Sequence, residues 1–140
     1  MQEEWFRAYV ESLLREVWDG QAHADDDGDW PFRHGSAAGW VSVRPYPYLR
    51  VEVFAHAARD VKQSARLLRE LNEANWYLVD GRVYWRAGFV VAETSIAAER
   101  VDCDSLVRAC LHVGSTADDL GTLLAAMFDG QTPFPAVLEA

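Results

Sequence analysis

The sequence predicts an α+β fold in which an antiparallel five-stranded sheet carries helices on one face, in the order α-β-β-β-α-β-β-α. Three stretches place apolar residues at helical spacing, and the runs between them alternate apolar with polar residues as strands do. Short turns join neighbouring strand-like runs, which is typical of antiparallel strands and not of parallel strands with helical crossovers.

The first helix is predicted over residues 3–19. Apolar pairs recur about once per helical turn, beginning with Trp5 and Phe6 and ending with Val17 and Trp18. Acidic residues at the start suit the positive end of the helix dipole, and Gly20 is placed to end the helix.

Three strand-like runs follow the first helix. The first run, residues 30–34, contains Pro31, which favours an edge strand because proline has no backbone N–H to donate. The second run contains Trp40 and Val41, and a turn at residues 44–47 leads to the third. The third run has a clean alternation between an apolar side and a side of aromatic and charged residues. Its two sides are Leu49, Val51, Val53 and Ala55, and Tyr48, Arg50, Glu52, Phe54 and His56.

The stretch from residue 67 to residue 93 changes from helical to two-residue periodicity. Ser64 is placed to cap the second helix. Asp80-Gly81 is predicted to be either a hairpin turn or a bulge inside one longer strand. We favour the bulge, because residues 86–88 supply a second turn and residues 89–96 supply the returning strand.

The third helix carries a heptad-like seam of apolar residues from Leu106 to Met127, which is typical of core packing. Gly114 and Gly121 belong to a second stripe of small residues that permits close approach of another backbone. Ser115 begins a pattern that resembles a capping box, which leaves open whether the helix continues or breaks at Gly114. One domain is predicted over residues 1–130, followed by a loose tail over residues 131–140.

Truncation of a central core residue such as Leu120 is expected to cost about 2–5 kcal/mol. The predicted core residues are Phe6, Val10, Leu13, Val51, Val53, Leu68, Leu71, Val91, Leu106, Val113, Leu120 and Leu124.

Composition narrows the class of partner. The formal net charge of −9 argues against nucleic acid and against anionic membrane surfaces, since both need clustered cations. Acidic residues at the N-terminus do not fit a signal peptide, and no apolar run is long enough to span a bilayer. Cys103 and Cys110 lie about 10 Å apart on one helix, beyond disulfide reach. We therefore expect reduced thiols in a cytoplasmic protein.

No residue pattern indicates catalysis or a bound cofactor. The serines lack a nucleophile-elbow context, and the four histidines are scattered without metal-ligand spacing. The acidic turn at residues 25–29 fails the EF-hand pattern because position six is Trp30 and position twelve is Ser36. A divalent metal on Asp25, Asp27 and Asp29 with His23 remains an alternative, with a solvated turn favoured. Cys103, near a helix start, is a further alternative as a thiol of lowered pKa. We expect a non-enzymatic protein.

Particular stretches resemble the YbjN-like proteins and the type III secretion chaperones whose fold they share. They are DGDWPFRHGSA, then LLRELNEANW followed by GRVYWRAGFVVAET, and VRACLHVGSTADDL ahead of FDG. The resemblance covers roughly residues 1–130. It implies a small acidic domain, commonly a homodimer, that holds extended peptide segments of other proteins. Its motifs are structural, so it implies no catalytic residues.

The sequence also points to a binding surface. If helices cover the Val51 side of the sheet, the opposite side presents large aromatic residues mixed with arginine, which is typical of a surface that becomes covered. The predicted partner-binding or dimer residues are Trp40, Tyr48, Arg50, Phe54 and Tyr84. An adjacent edge strand would accept a partner strand.

Three interpretations of this surface remain open. The chain is a chaperone or adapter for a protein or peptide partner, expected from its net charge to prefer a basic segment. Alternatively, it is a regulatory interaction module whose aromatic face serves homodimerisation only. In the third interpretation, the tail or another helix of the same chain covers the face.

Overall fold

The computed structural model describes residues 2–135 and confirms the predicted element order. The sheet order is β1-β2-β3-β5-β4, with every neighbouring pair antiparallel. The elements are α1 (Glu3–Val17), β1 (Trp30–His34), β2 (Ala37–Arg44), β3 (Arg50–Ala58), α2 (Ala65–Tyr77), β4 (Arg82–Arg86), β5 (Phe89–Ala97), a 3-10 turn (Ala98–Arg100) and α3 (Cys103–Met127).

The helices lie on one side of the sheet, where every second residue of the central strand is buried. Val51, Val53, Ala55 and Ala57 of β3 are fully buried, and α3 crosses β3, β5 and β2 on this side. α1 packs on α3, and α2 packs against β4. Because these alternate residues of β3 face the helices, the intervening residues face away from them.

The α2–β4 connection differs from the prediction. β4 begins at Arg82, and Asp80 and Gly81 belong to the loop that precedes it, so the expected bulge is wrong. Gly81 has a φ of 80°, and a Cβ at this position would overlap the backbone of Glu93. The hairpin turn lies at Ala87-Gly88, as the second turn signal predicted.

α3 is continuous through Gly114, so of the two alternatives the helix continues and does not break. The cap is at the helix start, where the Asp102 side chain accepts from the Ser105 N–H and the Ser105 hydroxyl accepts from the Asp102 N–H. Gly114 lies against the His34 side chain, and Gly121 lies against the Ala57 backbone. The small residues therefore serve the predicted close approach and do not interrupt the helix.

The structure buries most of the predicted core residues. In α1 and α2, however, the fully buried leucine is the neighbour of the predicted one. Leu14 and Leu67 are fully buried in place of their neighbours Leu13 and Leu68, and Leu120 is only half-buried. Val91 is buried but faces away from the helices, since it pairs with His56 on the other side of the sheet. The predicted core residues that the structure does bury among the helices are Phe6, Val10, Val51, Val53, Leu71, Leu106, Val113 and Leu124.

The segment after α3 is attached to the sheet as far as the structure describes it. Gln131 exchanges two backbone hydrogen bonds with Arg59, and the Phe134 N–H donates to the Ser36 carbonyl at 3.1 Å. The Arg33 guanidinium lies 4.2 Å from the centre of the Phe134 ring. Residues 131–135 are therefore not loose, and residues 136–140 of the expected tail lie outside the described residues. Within the described chain, no helix combines the length and apolarity needed to cross a membrane.

Burial now identifies the substitution that tests the core. We expect Leu124→Ala to lower the free energy of unfolding by about 2–5 kcal/mol, because a fully buried leucine leaves a cavity. Leu120→Ala should cost less, since this side chain is half-buried, and exposed Leu123→Ala should cost least. Urea unfolding of the three variants measures these losses in the free energy of unfolding and gives their order. A larger loss for Leu120 than for Leu124 would contradict this assignment of the seam.

Candidate functional site

The candidate site is the sheet face that points away from the helices, here called the outer face. Strand register places Trp40 opposite Phe54 and His56 opposite Val91, on residues that alternate with the buried valines. The same register continues from Val91 to Tyr84 and from Glu93 to Arg82. Among residues 2–135, no helix packs on this face.

Aromatic side chains form a diagonal band across the outer face. Trp40 of β2 stacks on Phe54 of β3, with ring centres 5.3 Å apart and planes 20° apart. His56 lies 4.8 Å from Trp40 and 4.5 Å from Phe89 of β5, measured between ring centres. We call these four residues the aromatic band. It joins three strands through side chains that are packed against one another.

The aromatic band remains accessible despite this mutual packing. Trp40, Phe54 and His56 are half-buried, and 36% of Phe89 is exposed. Partial burial lowers the pKa of His56, since the charged imidazolium is less well solvated there. The His56 side chain is therefore neutral near pH 7 and adds to the apolar character of the band.

Beside the band lies a charged cluster centred on Glu93. The Arg82 guanidinium pairs with one Glu93 carboxylate oxygen, and the Tyr84 hydroxyl donates to the other at 2.9 Å. Glu93 itself is only 8% exposed, so its charge is held by these two partners. Burial, followed by the neighbouring carboxylate, raises the pKa of Tyr84 to about 12.

The predicted site residues are brought together with one exception. Arg50 lies on the outer face, where it pairs with Glu52 at 3.1 Å and donates to the Tyr46 carbonyl. Tyr48 precedes β3 and lies in the loop at the end of the sheet. It lines a cleft with Val79, Ile96 and His112 on the helix side, so its expected place on the outer face is wrong. The alternation that positions strand residues does not extend into this turn.

Phe89 was missed as a site residue, and His56 was placed on the correct side of its strand without being assigned a role. The signal for Phe89 was available in the alternation of Phe89, Val91 and Glu93 along the returning strand. The contact between Phe89 and His56 depends on the register between β3 and β5. Register between strands distant in sequence is not encoded in local alternation.

The two cysteine thiols have raised pKa values. Burial raises the pKa of Cys110 to about 12. The pKa of Cys103 is raised by desolvation and by Glu16, opposite to the lowered value considered from its position. Among residues 2–135, no group of three or more His, Cys, Asp or Glu side chains is arranged to hold a metal ion.

The acidic turn is organised by its own backbone. One Asp25 carboxylate oxygen accepts from the N–H groups of Asp27 and Asp29, each at 3.0 Å. Asp29 in turn accepts from the Ser42 hydroxyl at 2.7 Å. These bonds describe a turn that anchors the start of β1.

Asp118 and His34 do not form a catalytic pair. Asp118 accepts from both the N–H and the hydroxyl of Ser36, each at 2.7 Å, and these bonds lower its pKa. The Ser115 hydroxyl is 3.4 Å from the nearest His34 ring nitrogen. Asp118 therefore holds the β1–β2 turn against α3, and the His34 ring packs against Gly114.

Three helices on one face of a five-stranded antiparallel sheet, with an aromatic opposite face, define a type III secretion chaperone-like fold. A chain in the crystal structure of the ExsC-ExsE complex has this fold, with a TM-score of 0.68 and 18% sequence identity. The match covers 84% of this chain and 95% of that chain. At this identity, the likeness concerns the fold.

The family model of T3SS (YopN, CesT) and YbjN peptide-binding chaperone 1, TY-Chap1, matches residues 4–136. The chain therefore belongs to this family, which confirms the resemblance seen in the sequence. A comparison with curated proteins found no match. Membership assigns the chain to peptide-binding chaperones and leaves its partner and its binding residues to be argued from its own surface.

The Tyr84–Glu93 contact predicts a change in stability at high pH. Because the folded state favours the neutral phenol, Tyr84 contributes to the free energy of unfolding. This contribution is fully present below the pKa of an unfolded tyrosine, about 10, and is lost as pH rises towards 12. In Tyr84→Phe, the free energy of unfolding should therefore fall less over this pH range. Urea unfolding between pH 9 and pH 12, at about half-unit steps, measures it. Equal pH dependence of the native chain and the variant would contradict the raised pKa.

Proposed function

We propose that this chain is a non-enzymatic chaperone or adapter whose outer sheet face holds an extended segment of a partner protein. The observation that carries the proposal is the aromatic band of Trp40, Phe54, His56 and Phe89, which no described helix covers. Membership of a peptide-binding chaperone family supports it independently. The family and the free thiols favour a cytoplasmic location.

The band fits a polypeptide better than a small molecule. It is a flat surface formed by side chains from three strands, whereas small-molecule sites are concave and enclose the ligand. Clustered aromatic side chains are typical of the centre of protein interfaces. An extended segment would lay alternate side chains on Trp40 and Phe54 while its polar atoms remain hydrated at the margin.

The β4 edge of the sheet is blocked at Val83 against adding a partner strand. The Asn75 side chain accepts from the Val83 N–H and donates to the Val83 carbonyl, each at 2.9 Å. A partner strand at this edge would need the same two backbone groups. Asn75 therefore occupies the position that a hydrogen-bonded partner residue would take.

The β1 edge remains available to a partner strand. The two-residue turn at Gly35-Ser36 makes His34 and Ala37 the closing pair of the β1–β2 hairpin, which is hydrogen-bonded in such turns. By alternation, the outward-pointing backbone groups of β1 are those of Pro31 and Arg33. Pro31 lacks an N–H, so a partner strand would bond to the Arg33 N–H and to the two carbonyls.

We also propose that the chain is a homodimer that uses a different surface. Trp76, Tyr77 and Val79 at the end of α2 are 81%, 74% and 100% exposed. Contiguous apolar residues this exposed are typical of a surface covered by a partner. A dimer contact here would leave the aromatic band free for a peptide. In the alternative, the aromatic band itself forms the dimer and the chain binds no peptide.

The cysteine and histidine environments support the absence of enzymatic activity. The pKa of each thiol is raised, whereas a catalytic cysteine requires a lowered one. Asp118 is bonded to Ser36 and not to an imidazole, so it does not orient a general base.

Two double variants distinguish the proposal from its alternative. We expect Trp40→Ala with Phe54→Ala to abolish binding on a peptide array and to leave the dimer intact, because it removes the centre of the band. Trp76→Ala with Tyr77→Ala should do the reverse. Light scattering gives the oligomeric state, and fluorescence anisotropy with array hits gives the affinity.

Circular dichroism and urea unfolding of both variants provide the folding control. A native chain that dimerises and binds no peptide, together with a Trp40/Phe54 variant that becomes monomeric, would replace the proposal with the dimerisation-only alternative. Peptide binding that survives the Trp40/Phe54 substitutions would place the peptide elsewhere on the chain.

Asn75→Ala provides a further test of the closed edge. We expect the Val83 amide to exchange with solvent deuterium faster in the variant, because its N–H loses the Asn75 acceptor. We also expect the variant to associate into larger oligomers than the native chain as its concentration rises, since the Val83 position of the β4 edge becomes available. Light scattering measures this association. A folded variant with unchanged exchange at Val83 would show that Asn75 does not protect this edge.

A further inference from the structure

The outer face differs in charge from the rest of the chain. Its strand residues include five arginines and two glutamates, which give a local charge of +3. The remaining eight cations and twenty acidic residues give −12, so that the total is −9. Even with Asp29, which reaches this side by bonding to Ser42, the face keeps +2. The arginines are Arg33, Arg44, Arg50, Arg82 and Arg86.

The two glutamates of the outer face already have cationic partners. Glu93 pairs with Arg82, and Glu52 pairs with Arg50. Of the other three arginines, Arg33 lies over the Phe134 ring and donates to the Gly35 carbonyl. Arg44 and Arg86 are exposed and pair with no carboxylate among residues 2–135. These two guanidinium groups are the charges on this face that a partner can neutralise.

Arg44 and Arg86 lie at opposite ends of the outer face. Arg86 is paired in register with Phe89, the last member of the aromatic band. Arg44 is paired with Arg50, which is paired with Ala97 at the other end of β5. The β5 strand from residue 89 to residue 97 spans about 26 Å at roughly 3.3 Å per residue. Arg44 on β2 and Arg86 on β4 are also three strand spacings apart, about 14 Å at roughly 4.8 Å each. The diagonal between them is therefore about 30 Å, which a fully extended segment of about nine residues reaches while crossing the band.

On these grounds, and resting on the proposed function, we propose that the partner segment is acidic: an extended peptide of about nine residues whose sheet-facing side chains are apolar in the middle and carboxylates at both ends. Its apolar side chains pack on the aromatic band, and its carboxylates pair with Arg86 at one end and Arg44 at the other. Guanidinium groups bind carboxylates through paired hydrogen bonds, which also fix the orientation of the segment.

This inference is opposite to the preference expected from net charge alone. The total of −9 favours a basic partner only if distant charges act on the site as strongly as near ones. At physiological ionic strength the screening length is about 8 Å, so exposed charges beyond the face contribute little. The local charge of the face therefore decides which segment is accepted.

Three nine-residue peptides with blocked ends and a fluorescent label test the charge preference. In each peptide the third, fifth and seventh residues are valine and the even-numbered residues are serine, so that the valines share one side of the strand with the first and last residues. The first and last residues are both glutamate, both glutamine or both lysine, so that only the charge at the two ends of this side changes. We expect the glutamate peptide to bind most tightly and the lysine peptide most weakly in anisotropy titrations. The advantage of glutamate over glutamine should shrink between 0.15 M and 0.5 M salt, at about 25 °C, as screening increases.

Arginine variants locate the preference on the chain. Arg86→Gln and Arg44→Gln should each reduce the advantage of the glutamate peptide by about two- to fivefold, as expected for an exposed ion pair. Arg69→Gln, on the exposed side of α2, is the matched control and should leave this advantage unchanged. Circular dichroism confirms that the variants are folded.

The outcomes separate this inference from the proposed function. A lysine or glutamine peptide that binds as tightly as the glutamate peptide overturns the acidic preference and leaves peptide binding intact. A glutamate preference that persists in both arginine variants also overturns it, since the carboxylates then pair elsewhere. If none of the three peptides binds and the array yields no hit, the proposed function fails together with the inference.

Discussion

The close approach of α3 to the sheet is the constraint on which the rest of the structure depends. Gly121 lies against the Ala57 backbone and Gly114 lies against the His34 side chain, so any larger residue would push the helix outward. Because α3 is 25 residues long and uninterrupted, this single helix crosses most of the sheet. α1 then packs on α3, and α2 packs beside β4. The three helices therefore lie on one face of the sheet, and no helix among the described residues covers the other face.

The outer face is stabilised by contacts within the sheet. Trp40, Phe54 and His56 cover one another across β2 and β3. Glu93 pairs with the Arg82 guanidinium and accepts a hydrogen bond from the Tyr84 hydroxyl. A buried carboxylate without such partners would be strongly destabilising. Pairing keeps this face stable in the free chain while its aromatic rings remain accessible. The same residues thus support the fold and, in the proposed function, present a surface for a partner.

Local periodicity predicted the fold and the direction in which most strand residues face. The alternation in β3 was sufficient to separate Val51 from Phe54, because side chains in a strand alternate strictly. Helical phase was less certain where two leucines are adjacent, and Leu14 and Leu67 are buried where Leu13 and Leu68 were expected. Features set by distant contacts were missed or left open: the place of Tyr48, the continuity of α3 at Gly114, the docking of residues 131–135 and the contact of Phe89 with His56.

The uneven distribution of charge opposes self-association through the accessible aromatic face. An open apolar face and an unpaired β1 edge are features that promote association between copies of a protein. The rest of this chain carries −12, which opposes close approach of two copies in most orientations. Asn75 blocks the β4 edge at Val83, and Pro31 limits the hydrogen bonds that β1 offers. Together these features leave the outer face open to an extended segment while they disfavour stacking of the sheet on itself.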